Sequence, residues 1–422
     1  MKASEVLQRL SSGEMIPLLR EIYSENIDEQ VLRYKEAIQS FMDYYGDQDI
    51  MIFSVPGKCE IGGNHTDHQQ GRVLASAIQL DSIGIVGKQD RYVKVIYNEL
   101  NINEIDTENI KYNEAKKGTM ESLINGVLFG LNQKNYHIGG FNAYIQCDIP
   151  RNVGLGSSAN FNIMIGTIIN YLYNEGKIEN KYLVQIGRFA TNIFYCKPSG
   201  LMNECVCCVG GFIKVDFRDP NSPDIYKLNT DFSNFDYTLC CVNSNVCRSD
   251  NTIDYDAIPK EMIKVANFFK KDVLRDVSYD EFMKNYRIVR ARVGDRPALR
   301  ALHFFKEEDR VLKQTEALEK GDFDTFLKLV RESGDSTFKA LQNIYPQEST
   351  RHQNIGTAIV LSENFLGEDG VVKVNGGGFS STMIAFVKTS VINDYAAYMD
   401  SIFGKGSCYI IHTREQGAIR LL

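Results

Sequence analysis

The sequence predicts an α+β protein of two domains, and three observations carry that expectation. Strand-like and helix-like segments interleave without the regular alternation of a doubly wound sheet. A length of 422 residues exceeds what one hydrophobic core usually holds. A polar stretch at 216–224 (DFRDPNSPD), with Pro220 and Pro223, breaks the chain near its middle. The expected domains are residues 1–217 and 225–422.

Taken in order, the first fifty residues read as helical. Val6, Leu7 and Leu10 share one face, followed by Leu18, Leu19 and Ile22. Residues 51–54 form a short apolar strand expected to end at Pro56-Gly57, and strand-like runs follow at 82–86 and 92–97. Helical spacing occurs at 119–131, at 160–172 and at 182–195. A strand at 140–147 gives way to a helix beginning near Ser157. Residues 205–215 start as helix or loop, break at Gly210-Gly211 and continue as strand. The second half opens with a strand at 237–242, then long helical segments at 259–270, 279–293, 297–318 and 323–341. Strand-like runs at 371–374 and 382–387 flank a glycine triplet, and a last pair of strands is expected at 408–412 and 418–421.

Composition excludes several classes. With 43% hydrophobic and 24% charged residues, a net charge of −7 and no Lys/Arg block, a nucleic-acid footprint is not expected. No apolar run suits a membrane span, and the N-terminus lacks the apolar core of a signal peptide. The ten cysteines have no framework spacing, and Cys205, Cys207 and Cys208 (CxCC) lack the paired spacing that suits zinc. They read as small buried apolar residues of a cytoplasmic chain, with Cys240 and Cys241 pointing to opposite faces of a strand.

Three segments carry chemistry. In the first, Pro56 to His68 (PGKCEIGGNHTDH), a cation, an amide, an imidazole and a carboxylate crowd a Gly-rich turn after a strand. Such groups suit sugar hydroxyls, and they also suit a solvated turn. The second is Gly154-Leu155-Gly156-Ser157-Ser158, where a strand passes into a helix. Unpartnered N–H groups and the helix dipole favour phosphate there, the glycines admit it closely, and the serines can bond phosphate or metal. Alone, the segment also fits a glycine turn with a serine helix cap. The third, Asn375-Gly376-Gly377-Gly378-Phe379-Ser380-Ser381, is either a tight hairpin or a backbone built for close approach.

Together and in this order, the three segments resemble the signature motifs of the GHMP small-molecule kinases. The run GxxxIGGNHTDHxxGxVL, which begins at Gly57, is similar to the galactokinase signature, and the similarity continues through Gly200-Leu201-Met202 to residues 403–409. The resemblance implies a ribosomal-S5-like α/β N-terminal domain and a ferredoxin-like C-terminal domain, with ATP and sugar between them. It implies transfer of the ATP γ-phosphoryl group to the anomeric hydroxyl of galactose with Mg²⁺. By position, Asn64, His65, Asp67 and Gly200 would meet the sugar. Gly154, Leu155, Gly156, Ser157 and Ser158 would cradle the phosphates, with Ser158 near Mg²⁺. Gly376, Gly377 and Gly378 would support the nucleotide side. Lys58 and Asn203 would stand at the catalytic positions. The implied partners are a sugar and ATP, without nucleic acid or membrane, in a monomer or weak homodimer.

The departures fall at these working positions. Asn203 stands where the family carries an Asp that orients or deprotonates the sugar hydroxyl, and an Asn cannot act as a base. Lys58 replaces an Arg and loses its planar fork. Asn64 replaces a Glu. In the phosphate loop Asn152 replaces a common glycine, and Gly156 the first serine of a triplet. The alternative these changes imply is a catalytically impaired relative that binds ATP and sugar as a sensor or scaffold.

Overall fold

The computed structural model describes residues 1–150, 153–197, 199–230, 234–245, 252–347, 351–379 and 382–422. Asn152, Cys247, Ser380 and Ser381 lie outside the described residues.

Three helices lead the chain: α1 (Ala3–Ser11), α2 (Ile16–Arg20) and α3 (Ile27–Tyr45). Strands β1 (Ile50–Gly62), β2 (Arg72–Lys88), β3 (Tyr92–Tyr97) and β4 (Leu100–Asp106) follow, then α4 (Met120–Gln133) and β5 (Phe141–Cys147). Next come α5 (Ser157–Tyr173), α6 (Asn180–Phe189), α7 (Met202–Val209), β6 (Phe212–Asp216) and β7 (Asp224–Lys227). The second half holds β8 (Tyr237–Asn243), α8 (Thr252–Phe268), α9 (Tyr279–Val293), α10 (Asp295–Glu319), α11 (Phe323–Ser336) and α12 (Asn354–Leu366). It closes with β9 (Gly370–Val374), β10 (Thr382–Lys388), α13 (Ile392–Phe403), β11 (Cys408–Ile411) and β12 (Ile419–Arg420).

The first sheet runs β12-β1-β2-β5-β3-β4, with β6 and β7 extending from β2. Both its faces are covered, so its strands read as nearly continuous apolar runs rather than alternating ones. Ile50, Ile52, Ile83, Ile85 and Tyr144 pack under α1–α3. Phe53, Val55, Val86, Ala143 and Ile145 share the opposite core with residues of α4–α7. The second sheet, β11-β8-β10-β9, is antiparallel throughout. Cys240 packs on its α12–α13 side, whereas Cys241 joins the core that reaches the first sheet, so the two do face opposite ways. Of the described cysteines, Cys196 and Cys408 are only partly buried.

Three sequence expectations change. Strand β1 does not end at Pro56-Gly57; a register shift there carries it on to Gly62. Strand β12 covers β1 only at Phe53 and Ser54, so Pro56 costs no ladder hydrogen bond on that edge. The proline-bearing stretch at 216–224 is the loop of the β6–β7 hairpin, with Asp216 opposite Asp224, and not a link between the sheets. The two final strands do not pair with each other: β11 lies in the second sheet, and β12 returns to the first.

A buried ionic cluster fixes that return. The Asp81 carboxylate on β2 accepts from Arg33 of α3 at 2.7 Å, from Arg414 at 3.0 Å and from the Tyr23 hydroxyl at 2.6 Å, and Ser54 also bonds to it. Burial pushes the Asp81 carboxyl upward, but the two guanidinium groups win and hold it below the ordinary carboxylate range.

Candidate active site

The three segments singled out in the sequence meet at one place. The backbone N–H of Lys58 donates to the Leu155 carbonyl at 3.0 Å, which joins the first segment to the second. Asn375 Nδ2 reaches the Val153 carbonyl at 3.4 Å, which joins the third to the second. Asn64 Nδ2 donates to Gly376 O at 2.5 Å, and His65 Nε2 lies 2.7 Å from Gly377 O, which joins the first to the third.

The loop before α5 has the geometry of an anion cradle. Gly154 and Gly156 adopt φ of 73° and 86°, in the left-handed region that favours glycine. Gly156 is the residue at the helix cap, and no side chain caps it. The serine-cap alternative is therefore not realised, and among the described residues no side chain partners the first N–H groups of α5. Leu155 turns its side chain into the core, so only its backbone can face a ligand. Ser157 and Ser158 open the helix and are partly exposed. Lys58 runs beside the loop: a Cβ on Gly156 would lie 2.8 Å from Lys58 Cγ.

Opposite the loop stands α7. Asn203 occupies its first turn, and its Oδ1 is buried without a hydrogen-bond partner among the described residues. The neighbouring Glu204 is 1% exposed, and burial pushes its carboxyl up to about 8. Gly200, just before this helix, leaves room for Asp67, since a Cβ there would fall 1.6 Å from Asp67 Oδ2. Asp67 Oδ1 accepts from the His68 backbone N–H at 2.8 Å. Burial raises the Asp67 carboxyl above its ordinary value against the pull of His65, and burial lowers the His65 imidazole.

The glycine triplet turns toward the first segment. A Cβ on Gly377 would sit 2.2 Å from Tyr255 Cε2, and one on Gly378 would sit 2.3 Å from Asn343 O. The close approach read from three consecutive glycines is present, though the carbonyls of Gly376 and Gly377 meet Asn64 and His65, the residues expected at the sugar. Asn64 itself is wholly buried: it donates to Glu60 Oε1 at 2.5 Å as well as to Gly376, and accepts from Asn343 Nδ2 at 2.8 Å.

Several residues of this cluster carried no sequence signal. Helix α10 supplies His303, whose Nε2 lies 2.9 Å from Asn64 O, and Glu307, which accepts from the Gly63 N–H at 3.1 Å. Burial takes His303 down to about 4. Burial pushes Glu307 the other way, yet Arg310, His303 and Lys373 hold it at about 2. Arg188 on α6, whose charge is felt by Asp67 and Glu204, and Asn343, in the loop after α11, likewise carry no local signal, whereas Glu60 lies within the first segment. Only a contact map brings them to the site.

The comparisons with known proteins fit this geometry. Residues 122–211, which include the cradle and α7, match the model of the GHMP kinases N terminal domain. Residues 39–88, which include the first segment, match the galactokinase galactose-binding signature. The chain is thus similar to the GHMP kinases and, over its first segment, to their galactokinase branch. It is 27% identical over 361 residues to a galactokinase from Streptococcus suis, covering 83% of this chain and 88% of that one. The fold is similar to that of Lactococcus lactis galactokinase complexed with galactose, with a TM-score of 0.77, 20% identity, and 90% and 98% of the two chains covered. It is also similar to the Methanococcus jannaschii mevalonate kinase, with a TM-score of 0.61, 17% identity, and 86% and 98% covered. The expected two-domain α+β architecture is thus the fold of a kinase superfamily. Among the described residues, no helix is long and apolar enough to cross a membrane.

Proposed function

We propose that this chain transfers the γ-phosphoryl group of ATP to a monosaccharide, with galactose giving galactose 1-phosphate as the leading reaction. The observation that carries the reading is the meeting of the Gly-rich cradle, the His65–Asp67 segment and the glycine triplet, with Asp67 against Gly200 just before α7 and Asn203 Oδ1 on α7 unpartnered among the described residues. A buried acceptor without a donor costs about 1–3 kcal/mol. A sugar hydroxyl would relieve that cost and be held in line for attack. The galactose-binding signature over residues 39–88 supports galactose as the sugar.

In this reading His65 and Asp67 hold sugar hydroxyls, and Gly200 keeps Asp67 in place. Lys58 and the free N–H groups after Gly156 offset phosphate charge. The sugar oxygen forms its bond to the γ-phosphorus as the bond to the bridging oxygen of ADP breaks. The hydroxyl proton passes to a phosphoryl oxygen or water, because Asn203 cannot take it. Phosphoryl transfer depends chiefly on position and charge, so it tolerates a missing base. Glu204 does not replace that base at neutral pH, where its carboxyl keeps its proton.

Among the described residues, no group of three His, Cys, Asp or Glu is arranged to hold a metal. Magnesium fits here as an ion borne by ATP, with the Ser158 hydroxyl as the ligand from the chain. Oxygen is the donor that magnesium prefers, and the bound ion supplies charge neutralisation at the phosphates.

An ADP-release assay with galactose and a panel of sugars, with the product identified by phosphorus NMR, tests the reading. Turnover with galactose above the sugar-free rate is expected. Background turnover with every sugar, alongside saturable ATP binding, would establish the sensor or scaffold alternative that the loss of the base at position 203 favours.

A further inference from the structure

Position 64 carries no carboxylate, but a carboxylate is nevertheless present beside it. Glu60 lies on β1 and is 5% exposed. The register with β2 is continuous from Lys58 opposite Ala77 to Glu60 opposite Ala75, so strand alternation puts Lys58 and Glu60 on one face. Cys59 and Ile61 enter the apolar core from the other face. Glu60 therefore shares its face with the cation that runs beside the phosphate cradle.

Two features separate Glu60 from a purely structural carboxylate. Its one hydrogen bond among the described residues is the donation from Asn64 Nδ2 at 2.5 Å, and no cationic side chain among them pairs with it. A buried carboxylate with so few partners is expensive unless a ligand brings donors. Its charge is also felt by both His65 and Asp67, which places it beside the residues proposed to hold the sugar. Asn64 has no donor left for a ligand: both of its N–H bonds are engaged within the protein, and its oxygen already accepts from Asn343.

We propose that Glu60, rather than Asn64, is the specificity-determining carboxylate of this sugar site and accepts a hydrogen bond from one sugar hydroxyl. The inference rests on the sugar-kinase reading above. It moves the charged acceptor four residues up the strand and assigns Asn64 to holding the glycine triplet.

The test uses the full chain as wild type and as Glu60→Gln, with galactose and its series of single deoxy analogues. The readouts are KM and kcat for ADP release, together with calorimetric sugar and ATP affinities. Glu60→Gln is expected to raise KM for galactose by about ten- to a hundredfold, the worth of a charged hydrogen bond, with kcat within about threefold. That penalty should vanish for the one deoxy sugar that lacks the bonded hydroxyl, while ATP affinity stays unmoved. An unchanged KM, or an equal penalty with every deoxy sugar, would overturn the proposal and leave the kinase reading intact. A wild-type chain that binds no sugar would sink the kinase reading, and this inference with it. Should Glu60→Gln fail to fold, Glu60→Asp keeps the charge and shortens its reach; it must show the same selective loss, and an unchanged KM for it overturns the proposal.

Discussion

The side-chain amide of Asn64 donates to the carbonyl oxygen of Gly376 across 312 positions of sequence, at 2.5 Å. This bond requires a donor. In Asn64→Asp a carboxylate would face the Gly376 carbonyl and the Glu60 carboxylate in a buried site, with no proton to give. The expected loss is about 3–5 kcal/mol of stability at pH 7, the range seen when a buried charge is left unpaired. Urea unfolding measures it, and a midpoint equal to that of the parent would refute the described role of Asn64.

Gly156 is held at φ 86°, and a methyl group there would press on Lys58 Cγ at 2.8 Å. Gly156→Ala should therefore displace both the loop and the lysine. ATP affinity is expected to fall by at least about tenfold, since the left-handed backbone alone costs roughly 1–2 kcal/mol for an L residue. Titration with a fluorescent ATP analogue provides the check. Unaltered affinity would mean that phosphate is held elsewhere.

Asn203 already stands in the first turn of α7 with an acceptor unpartnered among the described residues, so a carboxylate at that position needs no new geometry. Asn203→Asp is expected to raise kcat by about 10²-fold, the lower end of what a general base contributes. Steady-state kinetics with galactose decide the matter. No gain in kcat would show that the surrounding pocket, and not position 203, limits the reaction.

Stability should pass through a maximum near neutral pH. His303 ordinarily titrates at 6.5 and is held at about 4, so between those values the unfolded chain takes a proton that the folded chain refuses. Stability is lost as pH falls through that window. Glu307, held at about 2 against an ordinary 4.5, extends the loss further down. Glu204 acts in the opposite sense: its folded value of about 8 lies above 4.5, so stability falls as pH rises between them. Glu204→Gln removes this alkaline limb and is expected to add roughly 3–5 kcal/mol at pH 8, with little change at pH 4. Denaturant midpoints at both pH values measure the effect, and a variant no more stable than the parent at pH 8 would contradict it.

Sequence reading reached the site through its loops and missed the site's supports, for a physical reason. Glycines at Gly154, Gly156 and Gly376–Gly378 mark backbone that side chains forbid, and that restriction is local enough to be legible in a single chain. His303 and Glu307 sit in regular elements, where a polar residue reads as a solvated face until tertiary packing buries it, and Glu60 reads as part of a Gly-rich turn until the pairing with β2 carries β1 past Pro56. Proline ordinarily ends a strand, so the sequence alone places the end of β1 at Pro56. Here β12 stops short of it, and the Asn160 side chain bonds the Val55 carbonyl at 2.5 Å instead. The hairpin at 216–224 has the composition of a linker, and only its pairing distinguishes the two.

The return of the late chain to the first sheet has a consequence for biosynthesis. Phe53 and Ser54 wait for Arg420 and Ile419, and Asp81 waits for Arg414, 333 residues later. A nascent chain paused on the ribosome before residue 414 therefore carries β1 with an open edge and Asp81 with one of its two guanidinium partners. The proposed phosphate cradle lies on that same strand's border through Lys58 and Leu155. Nucleotide-binding competence is thus expected only after translation has passed the final strand, which makes the tail of this protein a checkpoint for its beginning.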